Sequence, residues 1–138
     1  METGGEKARA RQVYDGLFQA DLMAFMAGHL DSYDAVLGAA TLIHFGELKA
    51  LFQAVALCLR AQGLFVFTLF PHEAGAGTDY AVASSTRLAQ SGCFRHSADY
   101  VTRLAPQMGF SMLELERIVH EHDQDDQPVA GLLAVLKR

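Results

Sequence analysis

The run GLFVFTLF, residues 63–70, most narrows what this chain can become. Nearly continuous apolar and aromatic character over that length suits a strand covered on both faces, as in parallel sheets packed by helices. Ahead of it, GELKALFQAVALCLR carries Leu48, Leu51, Phe52, Val55 and Leu59 at spacings of three and four, a stripe wide enough to cover one face of a sheet. Arg60 is expected in the last turn of that helix, where a cation suits the carbonyl end, and Gly63 as its C-terminal stop. Earlier still, YDAVLGAAT (33–41) reads as a strand with an acidic start. Strand, helix and strand between Tyr33 and Phe70 make a β-α-β crossover of about the smallest size for that motif.

The other segments are additions to this unit. EKARARQVY (6–14) has good helix formers but few apolar anchors, and predicts a short solvated helix or the tail of a longer one. LFQADLMAFM (17–26) reads as a strand at Leu17–Ala20 passing at Asp21 into a helical turn, with Leu22, Phe25 and Met26 on one side. Pro71–His96 is rich in Gly and Ser, lacks a strong period, and is long for a connection, the character of a lid or binding loop. Ser97 reads as an N-cap with Asp99 in the first turn; Tyr100, Val101, Leu104 and Met108 form the buried side, Pro106 shortens the helix and Gly109 closes it. SMLELERIVHEH alternates around Leu113, Leu115 and Val119 as a half-buried strand does. VAGLLAVLKR is a final apolar strand, and the acidic turn DQDDQP between them predicts an antiparallel hairpin.

The length of 138 residues suits a single domain, 1–138, and half the residues are apolar, so the chain is expected to fold. A formal net charge of −5 without a basic block is poorly suited to neutralising phosphates, which argues against nucleic acid as a partner. METGGEKARAR lacks the apolar core of a signal peptide, and the run at 64–70 is too short to span a bilayer, so no membrane association and a cytoplasmic location are expected. Cys58 and Cys93 lie far apart without CxxC spacing and are read as reduced thiols.

The order of elements, with YDAVLGAATLIHFGELKALFQAVALCLRAQGLFVFTL, resembles the C-terminal portion of a class I S-adenosylmethionine-dependent methyltransferase. In that family a fourth strand opening on an aromatic-Asp pair leads through a helix and an "LRPGG" turn to a fifth strand. Here the turn is Leu59-Arg60-Ala61-Gln62-Gly63, without the proline and first glycine. EKARARQVYDGLFQADLMAF is similar to the family's second helix, third strand and following acidic residue; HSADYVTRLAPQMGF and the final hairpin match its last helix and antiparallel seventh strand. The implied fold class is α/β: a truncated Rossmann-like methyltransferase fold, a mixed sheet with a C-terminal antiparallel hairpin and flanking helices.

The resemblance implies methyl transfer from S-adenosylmethionine to a small acceptor. It also implies a missing part, because the family's first strand, its glycine-rich cofactor loop and the acidic residue that binds the ribose precede the helix that begins near Lys7. Gly4-Gly5 has no strand before it, and Gly75-Ala76-Gly77 follows the wrong strand. The isolated chain is therefore expected to lack activity. The Tyr33 strand would also have a bare edge of unpaired N–H and C=O groups. Either the Leu17 strand moves in to pair there or another chain does, a homodimer being the simplest arrangement. A non-catalytic interaction or dimerisation module using that edge and the 71–96 loop is the rival function.

Four cofactor-binding positions follow from the resemblance. Asp21 matches the carboxylate that accepts from the adenine amino group, with Leu22 against the ring; Ala39 and Ala40 match positions lining the adenosine pocket. Asp21 also fits a helix N-cap, and small residues at 39 and 40 also allow close packing. On the substrate side, His44 and His72 leave successive strands at the end where open α/β sheets bind ligands, with Glu73 beside them, and either imidazole is a candidate catalytic base. Each also reads as an ordinary loop histidine. His120 and His122, two apart on a strand, with Asp123, Asp125 and Asp126 beyond, have the donors for a divalent metal, but the spacing fixes no third ligand and a solvated hairpin tip is preferred, so no metal is assigned.

Overall fold

The computed structural model describes residues 22–39, 41–72, 78–82, 93–123 and 125–138. Helical backbone at 22–27 (α1) leads into β1 (Tyr33–Gly38), a single 3-10 turn (Leu42–His44), α2 (Lys49–Cys58) and β2 (Leu59–Pro71). Two short strands follow, β3 (Tyr80–Val82) and β4 (Phe94–His96), then α3 (Ala98–Gln107), β5 (Ser111–His122) and β6 (Pro128–Lys137). Among the described residues the six strands form one mixed sheet around β2. β1 and β4 run parallel to β2 along the same side, at its beginning and its end; β6 pairs antiparallel on the other side, and β5 pairs with β6. The α/β class, the crossover, Ser97 as N-cap and the C-terminal hairpin are as expected from the sequence. The expected strand at Leu17–Ala20 and helix at 6–14 lie outside the described residues.

One face of the sheet carries the core. Phe65, Phe67 and Leu69 of β2 share that face with Leu136, Ala134 and Leu132 of β6, and all are buried. α2 sets Leu51, Phe52, Val55 and Cys58 against them, and α3 sets Tyr100, Val101, Leu104 and Ala105. Phe52 stands edge-on to Phe65, Phe67 and Phe110 at centroid distances of 5.6, 5.5 and 6.0 Å. Removing one such ring from water is worth about 1.5–3 kcal/mol, so this aromatic knot anchors α2 to the sheet.

Several boundaries differ from expectation. β1 ends at Gly38 rather than running to Thr41, because Leu42 folds over it: a Cβ on Gly38 would lie 2.6 Å from Leu42 Cδ1. α2 ends at Cys58, so Arg60 is not in a helical turn; it pairs with Asp34 at 3.1 Å instead. Gly63 does not stop the helix either. Leu59 opposes Tyr33 and Leu64 opposes Ala35, so the residues between bulge out of the ladder, Gln62 at φ 71. A Cβ on Gly63 would meet Arg60 O at 2.8 Å, which explains the glycine inside the bulge.

The segment expected to be a loop, Pro71–His96, contains β3 and β4. β5 also departs from simple alternation. Irregularities at Met112/Glu114 and Val119/Glu121 shift its phase, leaving Leu113 and Val119 exposed while Met112, Leu115 and Ile118 are half-buried.

Candidate functional site

The end of the sheet where β1 and β2 finish is built by four elements. The 3-10 turn brings Ile43 against Phe70 of β2 and Cys93 beside β4, forming a small apolar cluster. His44 is the next residue after Ile43. His72 leaves β2, its N–H donating to His96 O at 2.8 Å and its Nε2 hydrogen-bonded to Thr78 Oγ1 at 2.8 Å. The structure therefore gathers the segments carrying His44 and His72 at one end of the sheet.

His96 joins those segments, and sequence reasoning missed it. Its ring is fully buried and its Nε2 donates to Gly46 O at 2.9 Å, while its backbone O receives the His72 N–H. Burial pushes its imidazole below the ordinary value; the Gly46 and Phe45 carbonyls oppose that, and His72 adds to it. The ring sits beside Tyr80 and Tyr100, and Tyr100 Oη accepts the Leu48 N–H at 2.9 Å, at the start of α2, where no side chain of Leu48 itself supplies a cap. A histidine just ahead of the Ser97 cap was visible in the sequence, but nothing local marked it as buried.

The cofactor positions separate. Asp21 and Ala40 lie outside the described residues. Ala39 is exposed just beyond β1, and Leu22 is half-buried at the start of α1. Leu22 helps line a cavity of about 260 Å³ between α1 (with Phe25 and Met26) and β1 (Tyr33, Ala35 and Val36), closed by Cys58. Its walls are almost wholly apolar. The Cys58 thiol is already donated to Met26 O at 3.0 Å, and burial pushes that thiol's pKa up. A nucleoside with ribose hydroxyls and an amino acid tail needs several polar partners, and this lining is nearly all apolar. The described residues do not by themselves fit S-adenosylmethionine.

The hairpin tip does not assemble metal ligands. Val119 opposes Ala130 and Glu121 opposes Val129, so His120 is the extra residue of a bulge. Its ring turns in to Thr68, 3.3 Å away, and against Phe70 at 4.8 Å, whereas His122 is exposed. Asp123 Oδ1 accepts the N–H groups of Asp125 and Gln127 at 2.9 and 3.0 Å, acting as a turn-former. Among the described residues no group of three or more His, Cys, Asp or Glu is placed to hold a metal ion. No helix among them is long and apolar enough to cross a membrane.

Among solved structures, this fold is that of S-adenosylmethionine-dependent methyltransferases. One from Methanosarcina mazei superposes with a TM-score of 0.60 at 10% identity, over 80% of this chain and 61% of its own. The 1,6-didemethyltoxoflavin-N1-methyltransferase of Burkholderia thailandensis, solved with 1,6-didemethyltoxoflavin and S-adenosylhomocysteine bound, also gives 0.60, at 14% identity over 79% of this chain and 45% of its own. One from Mesorhizobium loti gives 0.54 at 19% identity, over 79% and 64%. The chain thus spans about half to two thirds of the length of these structures. No protein-family model matches the sequence, and no curated protein matches it.

Proposed function

We propose that this chain is the C-terminal part of a methyltransferase-type unit, serving methyl transfer from S-adenosylmethionine to a small acceptor once further strands complete its sheet, and inactive on its own. The observation carrying this is the match of about four fifths of the chain to methyltransferases of which it spans only part. It is joined by β1, whose one ladder partner among the described residues is β2. The cofactor, when bound, supplies the methyl group. Asp21, Leu22, Ala39 and Ala40 are this chain's proposed contribution to the adenosine side. His44 and His72 are the proposed acceptor-side bases; with His72 Nε2 engaged by Thr78, its Nδ1 is the nitrogen for proton transfer. Cys58 and Cys93, both buried and not joined in a disulfide, suit a reducing cytoplasm.

The second reading is an interaction module that uses the β1 edge to bind another chain, a second copy in the simplest case. It is favoured by the apolar cavity, which lacks polar partners for the cofactor, and by Leu37 on β1, 74% exposed. Thermal unfolding with S-adenosylmethionine and S-adenosylhomocysteine separates the two. A ligand held only by the folded state stabilises it by about 2.7 kcal/mol at a hundred times its Kd. Stabilisation of the isolated chain refutes its inactivity as a cofactor binder; no shift alone but a shift with a completing partner supports the first reading; no shift in either case leaves the interaction module.

A further inference from the structure

His96 is the buried polar residue that ties the acceptor end of the sheet together. Its ring reaches from β4 to the turn before α2, bonding Gly46 O at 2.9 Å, while its backbone accepts from His72 beyond β2 at 2.8 Å. Only an N–H pairs with a carbonyl, so the neutral ring carries its hydrogen on Nε2 and leaves a lone pair on Nδ1. That Nδ1 is buried without a hydrogen-bond partner among the described residues. A second proton would set an N–H there with no hydrogen-bond partner among the described residues, and a charge in a site shielded from water, against which only the Gly46 and Phe45 carbonyls compensate.

The surroundings offer little compensation. Tyr100 and Tyr80 are the neighbouring rings, at 6.4 and 6.1 Å, beyond the ~6 Å reach of a cation–π contact. The titratable and charged groups on the packed elements are His44 on the 3-10 turn, Glu47 before α2 and Lys49 at its start, His72 after β2, Asp79 and Tyr80 at β3, Arg95 on β4, and Asp99, Tyr100 and Arg103 on α3. Arg103 pairs with Asp79, Arg95 donates to Pro71 O at 3.4 Å, and the ring's partner is the Gly46 carbonyl rather than Glu47 or Asp79. Gly46 is held close: a Cβ there would lie 3.0 Å from both Phe94 Cε1 and Tyr80 Cε2.

We propose that His96 is a proton-sensitive clamp holding residues 44–48 and 70–72 together at the acceptor end of the sheet, and that protonating its ring releases them. The clamp needs only this geometry; that release disables acceptor binding rests on the methyltransferase reading. Because burial lowers the folded-state value, the clamp is fully set above the ordinary histidine range near 6.5 and is lost progressively as pH falls below it. The device is a positioning one, acting through the segments that carry His44 and His72.

Amide exchange and imidazole NMR on the whole chain from pH 8 to pH 5 test it, with His96→Gln as the partner variant. A glutamine amide can donate to Gly46 O but does not titrate. Protection of the His72 and Leu48 amides, corrected for intrinsic exchange, should fall by up to tenfold per pH unit as pH drops below the ordinary histidine value, and stay level in H96Q. Parallel loss in both proteins, or a His96 that titrates without loss of protection, overturns the clamp. If H96Q does not fold, coincidence of the two wild-type curves decides alone. No arm uses the cofactor, so failure here is distinct from failure of the methyltransferase reading.

Discussion

Tyr100→Phe removes one oxygen and should cost more than its size suggests. Tyr100 Oη accepts the Leu48 N–H at 2.9 Å across 52 positions of sequence, joining α3 to the start of α2. Leu48 is 0% exposed and Tyr100 8%, so water cannot replace the lost acceptor. A buried donor left unsatisfied costs about 1–3 kcal/mol, while the phenyl ring keeps its packing. At about 4 °C per kcal/mol for a chain of this length, Tm should fall by roughly 4–12 °C. Tyr80→Phe is the control: Tyr80 is 37% exposed, and its loss should stay within about 0.5 kcal/mol. Urea unfolding of the two variants gives the difference, and exchange of the Leu48 amide locates it. Equal stabilities, or an unchanged Leu48 amide in Y100F, would refute this account of how α2 is capped.

Phe52→Ala should cost about 3–5 kcal/mol in denaturant unfolding, since the ring is 0% exposed and touches three other phenylalanines. Gly131→Ala puts a Cβ 2.8 Å from His120 Cβ and should destabilise by about 1–3 kcal/mol; a neutral result would mean the β5 bulge moves freely. Cys58 is buried with its thiol pushed toward the protonated form, so iodoacetamide at pH 7.5 should spare it in the native protein and modify it in urea, as mass spectrometry would read. Leu37→Lys, at a site 74% exposed, should leave stability within about 0.5 kcal/mol yet weaken any association through β1; equal sedimentation of wild type and variant as dimers would place the interface elsewhere.

The crossover, α3 and the hairpin could be read from the sequence because each announces itself within its own length. Leu51, Phe52 and Val55 mark a helix face by spacing alone, and Ser97 caps the Tyr100 N–H at 3.0 Å as its place before Ala98 implies. β3 and β4 have three residues each, too few to show a period, and exist because β2 and each other offer ladders. The phase of β5 was hidden because bulged residues are defined only by what stands opposite them. His96 was hidden for a similar reason: its partner Gly46 lies 50 positions away, so its burial belongs to the assembled sheet. The gathering of the His44 and His72 segments was foreseeable from strand order, whereas the apolar cavity beside β1 was not.

The two functional readings compete for one piece of backbone. Among the described residues β1 pairs with β2 on one side, which leaves at most one edge for anything else. Leu37, Val66 and Val135 lie in one cross-strand row on the sheet face away from the main core, so whatever covers the edge also meets apolar side chains. Six residues of edge span only about 20 Å, too little for a stable interface near 1,600 Å² unless that face is covered too. A second copy paired on β1 would occupy the place that a completing strand of the cofactor unit needs, so dimer and competent sheet exclude each other. Sedimentation with a completing partner and S-adenosylhomocysteine present then has a definite expectation: a β1-paired dimer should take up neither partner nor ligand until it dissociates, making apparent ligand affinity fall as protein concentration rises. A dimer that binds the ligand with unchanged affinity across concentrations would break this exclusion and remove β1 pairing as the dimer contact.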